Sequence, residues 1–144
     1  MANQFDLQRF VDAQSSVYQA ALSELRAGAK RSHWMWFIFP QVAGLGHSPM
    51  ARRYAISSRA ESLAYLEHPL LGVRLHECTI AVLSVRAGKT ARQIFGTPDD
   101  MKFLSSMTLF EAIGTDPIFP DAVERFYGGE RDKHTRDILS RWRS

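Results

Sequence analysis

From Leu7 onward, apolar side chains return at Phe10, Val11, Val17, Tyr18, Ala21, Leu22 and Leu25. Steps of three and four put them on one helical face, and Gly28 stands where a C-terminal capping glycine belongs, so a single first helix is predicted over 7–28. The pattern then breaks into KRSHWMWFIFPQ, Lys30 to Gln41, with six consecutive apolar residues, four of them aromatic. Coiled as a helix, Trp34, Phe37, Ile38 and Gln41 share one face while His33, Trp36 and Pro40 share another; extended, Trp34 and Trp36 point together. Both faces are apolar in either case, which predicts an element buried on most sides. Pro40, Gly44, Gly46 and Pro49 then mark a loop.

The rest of the chain is punctuated by helix signals. Ser58 followed by Glu61 is a capping box, and the helix it opens must end near His68, because Pro69 disfavours helical backbone at the residue before it. Pro69 can start the next helix, in which Leu71, Leu75, Cys78, Thr79, Val82 and Val85 form a stripe ending at Gly88. Thr90 with Gln93 is a second capping box, closed by Gly96. Thr97-Pro98-Asp99-Asp100 reads as an N-cap, a first-position proline and two carboxylates facing the positive end of the helix dipole, and its helix continues to Gly114. Pro120 opens a helix closed by Gly128 and Gly129, and Asp132 caps a last one carrying Ile138, Leu139 and Trp142. The prediction is an all-α fold, one compact multi-helix domain over residues 1–144, with no repeat and no linker.

Composition narrows the setting. A chain of 144 residues that is 45% hydrophobic and 11% aromatic can build its own core. It needs no disulfide, and the single Cys78 could not form an internal one. The start MANQFDLQRF lacks the cationic and apolar segments of a secretory signal, which points to the cytoplasm. The six-residue apolar run is far short of the ~20 residues that span a bilayer, so no membrane partner is expected. His33, His47, His68, His76 and His134 are scattered, and His76 and Cys78 face different ways on a helix. No metal site and no cofactor is expected. Cys78, on its apolar stripe, reads as a buried structural thiol.

Charge is more informative. Between Arg26 and Ala60 lie Arg26, Lys30, Arg31, Arg52, Arg53 and Arg59 with no aspartate or glutamate, whereas the other 109 residues hold 12 Lys and Arg against all 15 acids. This segregation favours an anionic partner near the segment that also contains the aromatic run and the glycine loop. The candidate binding residues are therefore His33, Trp34, Trp36, Gln41, His47, Ser48, Arg52 and Tyr54, joined by Lys102 and Ser106, which lie one turn apart in an otherwise apolar helix. Trp34 or Trp36 would stack on a ring, Arg52 or Arg53 would neutralise phosphate, and His47 and Ser48 would supply hydrogen bonds. Ser105, Ser106 and Thr108 could alternatively bond back to helix carbonyls. Gly44-Leu45-Gly46 lacks a preceding strand and the third glycine of a dinucleotide fingerprint, and Asp99 and Asp100 are explained as dipole partners.

Several blocks carry a resemblance that extends over nearly the whole chain: SHWMWFIFPQ, GLGHS, YAIS, HPLLGVRL, IFGTPDDMKFLSSMTLF and FYGGERDKHT. They resemble the bacterial domain-of-unknown-function family 1810, sometimes labelled calpastatin-like. That resemblance implies a small, mainly α-helical cytoplasmic domain and brings no established activity. The early aromatic segment with its histidine, the basic glycine loop and the later short helices are also similar in outline to NADAR domains, small helical proteins linked to NAD and ADP-ribose chemistry that act as glycohydrolases. This fainter likeness implies an ADP-ribose-like ligand and assigns no catalytic residue.

Two functional readings follow. In one, the domain binds a phosphate-containing, nucleotide-like small molecule such as ADP-ribose or an NAD derivative, with ribosyl-bond hydrolysis as a further step if a carboxylate such as Glu77 or Glu111 supplies the chemistry. In the other, it is a non-catalytic module whose basic segment docks an acidic protein or nucleic acid.

Overall fold

A computed structural model describes residues 5–142. It contains ten helices among those residues: α1 (Gln8–Ser15), α2 (Tyr18–Arg26), α3 (Met35–Ile38), α4 (Pro49–Arg53), α5 (Arg59–Glu67), α6 (Leu71–Leu83), α7 (Ala91–Phe95), α8 (Asp99–Ile113), α9 (Ile118–Tyr127) and α10 (Lys133–Arg141). The all-α expectation stands, with one isolated parallel bridge between Val42 and Ile56 as the sole β pairing among the described residues.

The body is organised around α8. Phe103 to Phe110 are all buried, so this stretch is covered on every side, as a central helix must be. It packs against α5, α7, α9 and α10 and touches α3. Phe103 meets Phe39 edge to face at 4.9 Å and stacks with Phe95 at 4.7 Å. Tyr65 lies 5.1 Å from Phe10 and 5.6 Å from Phe110. The aromatic run thereby joins α8 to the N-terminal helices. On the far side α2 and α6 run the same way, with Tyr18 bonding Glu77 near one end and Gly28 lying against Val85 at the other.

Several local expectations are corrected. The predicted first helix is two: Ser15 Oγ turns back to Asp12 O, the Val17 amide bonds Gln14 O, and the chain breaks before α2. The break leaves the buried Gln14 amide nitrogen free to donate to Phe37 O at 2.6 Å. At the far end Gly28 does close α2, with φ +71 and the paired Gly28→Leu25 and Ala29→Glu24 bonds of a Schellman turn. The loop over 40–49 is interrupted at its end, because Pro49 opens α4 under a Ser48 cap.

Ser58 caps α5 as expected, yet Glu61 reaches the Ser57 amide and Arg9 rather than closing the box. Pro69 sits in the turn before α6, whose first amides are met by His68 Nδ1, accepting from Leu70 and Leu71. Thr97 does not cap α8; Pro98 occupies that position, and the amide of Asp100 bonds Gly96 O. The Thr90–Gln93 box, the glycine close of α9 and the Asp132 cap of α10 form as predicted.

Candidate functional site

One wall of the candidate site begins with the parallel bridge. The Ile56 amide donates to Gln41 O and the Ala43 amide to Ile56 O, both at 2.8 Å, so the segments entering and leaving α4 are clamped together. Between them the chain makes a tight bend: a Cβ on Gly46 would lie 2.6 Å from Ala51 Cβ, so no other residue fits there without a shift. This clamped loop presents Gln41, Val42, Leu45, Ala51, Tyr54 and Ala55 to a cleft of about 320 Å³.

The opposite wall is the start of α8, with Pro98, Met101, Lys102 and Ser105 one turn apart or adjacent, and the start of α10 closes the end with Asp132 and His134. Trp36 borders the same space, its ring faced by the Lys102 ammonium at 5.3 Å. The surface is mostly apolar, with polar groups gathered at Gln41, Lys102, Ser105, Asp132 and His134. Such a mixture holds a ring by contact and orients it by a few hydrogen bonds.

Charge in the cleft is arranged, not merely positive. Asp99 lies between Lys30 at 2.8 Å and Lys102 at 3.4 Å, so Lys102 is partly neutralised from behind while its ammonium stays over Trp36. Asp132 Oδ2 accepts from Ser105 Oγ at 3.0 Å and from the Thr135 amide at 3.1 Å as it caps α10, and the Asp132 amide donates to Thr108 Oγ1. Thus one carboxylate is fixed at the cleft end by α8 and α10 together.

The sequence-predicted residues divide. Trp36, Gln41, Tyr54 and Lys102 come together in the cleft. Trp34 does not join them: it is fully buried, and its indole N–H donates to Glu24 at 2.9 Å. The reason is helical geometry, since one turn of helix at α3 turns positions 34 and 36 to different sides. Ser106 is likewise fully buried, one position past Ser105, which is the residue that reaches the cleft; its Oγ has no partner among the described residues. Ser105 and Thr108 do bond back to the carbonyls of Met101 and Leu104.

His33, His47 and Arg52 are exposed outside the lining, and Ser48 is occupied by capping α4. Arg53 lies 5.6 Å from the Tyr54 ring, beside the cleft rather than in it. Lys30, counted in the basic segment, is largely buried against Asp99.

Neither suggested carboxylate lines this cleft. Glu77 is held by Tyr18 between α2 and α6, and Glu111 is gripped by Arg131 through two hydrogen bonds. Cys78 is buried, and burial pushes its thiol up to about 12 against a lowering hydrogen bond from Tyr18, so it stays protonated and unreactive near neutral pH. The residues sequence reading missed are Asp132, His134, Ser105 and Met101. Asp132 was visible as a helix cap, but nothing local announces that the last helix starts opposite the glycine loop.

Comparisons with known proteins agree with this architecture. A family model described as Protein of unknown function (DUF1810) matches residues 4–139. The solved structure of the conserved hypothetical protein Rv1873 from Mycobacterium tuberculosis is 52% identical, covers 96% of this chain and 99% of its own, and superposes with a TM-score of 0.94. No curated protein matches the chain. The outline likeness to NADAR domains stays an expectation from sequence.

Proposed function

The chain belongs to the DUF1810 family, and from its cleft we propose that it binds a small molecule combining a planar ring with an anionic group, of mononucleotide size and nucleotide-like chemistry. The observation that carries this reading is the meeting of Trp36, Tyr54 and Lys102 with Gln41, Ser105, Asp132 and His134 around one largely apolar cleft. A ring would lie against Trp36 and Tyr54, Gln41 would both donate to and accept from its edge, and Lys102 would face the anion. Arg52 and Arg53, on the helix that supplies Ala51 to the wall, would meet charge extending past the rim. Size sets a limit. At about 320 Å³ the cleft is at the lower end of ligand pockets, roughly 300–1,000 Å³, so of ADP-ribose or an NAD derivative it would enclose one nucleoside half.

Ribosyl-bond cleavage, if the domain is a hydrolase, would rest on Asp132, the carboxylate lining the cleft, as the group that stabilises developing positive charge on the sugar. The alternative role, a module docking an acidic macromolecule, draws on a different surface.

Thermal unfolding in the presence of mononucleotides, ADP-ribose, NAD and sugar phosphates tests the reading. A ligand at about 100 times its dissociation constant should add ~2.7 kcal/mol and raise the midpoint by roughly 5 to 10 °C. The rise should vanish in Trp36→Ala and Lys102→Ala proteins. If no compound shifts the midpoint, or if the shift survives both substitutions, the cleft is not the binding site.

A further inference from the structure

A second basic region lies away from the cleft, where α2 and α6 end side by side. A Cβ on Gly28 would sit 3.2 Å from both the Lys89 ammonium and Val85 Cγ1, and the Lys30 amide donates to Ile94 O at 2.7 Å, so the segments after α2 and after α6 are in direct contact. Arg125 of α9 staples the second segment from the side by donating to the carbonyls of Leu83, Val85 and Arg86. This junction brings together Arg26, Arg31, Arg86 and Arg92, all exposed, with the half-buried Lys89.

The junction is poor in compensating charge. Glu24 is the one acid in residues 24–33, and residues 84–98 contain none. Glu24 is turned inward: it accepts from the Arg31 and Ser32 amides, from Ser32 Oγ and from Trp34 Nε1. The two helix C-termini contribute about half a negative charge each. With Arg125 taken up by the carbonyls that end α6 and Lys30 by Asp99, the other five cations against Glu24 and those two ends leave roughly three positive charges on a small face, too many to be explained as neutralising the helix dipoles.

We infer that this junction binds the phosphate backbone of nucleic acid, independently of the cleft. The surroundings of the cations select the partner. Among the described residues the exposed large apolar side chains, Leu63, Val73, Ile80 and Met101, lie outside both segments, so these segments offer neither the apolar side chains that enter a membrane nor the apolar centre of a protein interface. Between the cations stand Ala27, Ala87 and Gly88, small and exposed, which leave the arginine forks free to reach successive phosphates. No base-reading element is present in these segments, and the binding is sequence-independent.

The test is fluorescence anisotropy of labelled 20-mers, duplex DNA and RNA in separate arms, titrated with the full chain at 50 and 200 mM salt. With about four phosphates neutralised, affinity should fall on the order of 100-fold across that salt range. Reversing charge on the junction with Arg26→Glu, Arg31→Glu and Arg92→Glu together should weaken binding at 50 mM salt at least tenfold. The same change on α10, with Lys133→Glu, Arg136→Glu and Arg141→Glu, should weaken it less than threefold. Both triple variants are surface changes, and circular dichroism melts verify that each is folded. Absence of binding at 50 mM salt, equal losses in the two triple variants, or displacement of the oligonucleotide by poly-glutamate or anionic vesicles at equal charge concentration would overturn the inference. Because no cleft residue is altered, a failed ligand screen and a failed oligonucleotide titration are separate results.

Discussion

The aromatic run has a packed body behind it and a cleft in front of it, and the two differ although neighbouring residues build them. Behind, Trp34, Phe37, Ile38 and Phe39 are buried against α8 and the N-terminal helices; in front, Trp36 is half-buried and shares open space with Lys102 and Tyr54. One turn of helix makes the difference. A residue two positions along is rotated by more than a right angle, so a single sequence block supplies both core and site. Apolar density alone therefore does not identify a core, and the polar partner of each tryptophan is what separates them: Trp34 gives its N–H to a carboxylate inside the fold, whereas Trp36 lies under a cation at the cleft.

The largest effect expected is on the packed side. Trp34→Ala removes a fully buried ring and one of the four hydrogen bonds to the Glu24 carboxylate, and should cost about 3–5 kcal/mol in urea unfolding. A loss under 1 kcal/mol would mean that Trp34 is not the anchor described here. Next is Gly72→Ala, in the first turn of α6 where it crosses α5. A Cβ there would lie 2.0 Å from Leu66 O, a backbone atom that cannot swing away, so the helices must separate at a cost of about 3 kcal/mol. The same exchange at Gly88, where a Cβ meets nothing within 4 Å, tests the steric part, because its cost should come from the positive φ alone.

On the cleft side, Trp36→Ala should cost only about 1–2 kcal/mol, from partial burial and the contact with Lys102. Its effect should instead fall on ligand affinity. If Trp36→Ala destabilises as much as Trp34→Ala, the contrast between the two sides fails and the run is uniformly structural.

Legibility in the sequence follows the range of the interaction responsible. The caps at Thr90, Ser58 and Asp132 and the closing glycines at 28 and 128 were readable because each is a bond between residues within a few positions. The break between α1 and α2 was not, because the apolar spacing continues through it and its reward is distant: Gln14 bonding Phe37 and Tyr65. Half of the site was legible for the same reason. Trp36, Gln41 and Tyr54 lie near one another in sequence, and Lys102 stood out as a charge in an apolar helix. Asp132 and His134 reach the cleft only through the packing of α10 on α8, which no local pattern encodes. Charge counting succeeded in locating cations and failed in assigning them, since Lys30 is paired with Asp99 while Arg86, Lys89 and Arg92, outside the counted segment, complete the exposed face.

The smallest predicted effect is on the packed side, at Glu24, the polar partner of Trp34. Burial raises its carboxyl, but hydrogen bonds from Ser32 Oγ, the Arg31 and Ser32 amides and Trp34 Nε1 outweigh burial and hold it at about 2, below its ordinary 4.5. A carboxylate lowered in the folded state favours folding fully above the unfolded value and loses that contribution as pH falls toward the folded one. The relevant window is therefore about pH 4.5 down to 2. The group is half-buried and still reached by solvent, so after screening the contribution is on the order of 1 kcal/mol rather than the full value of the shift. Glu24→Gln keeps the shape and removes the charge. The stability difference between the parent and this variant should be on the order of 1 kcal/mol at pH 7, narrow below pH 4.5 and close near pH 2, read as urea midpoints across that range. A difference that stays constant with pH would assign the role of Glu24 to shape alone, and the Trp34 side of the run would then be held by packing without its charged partner.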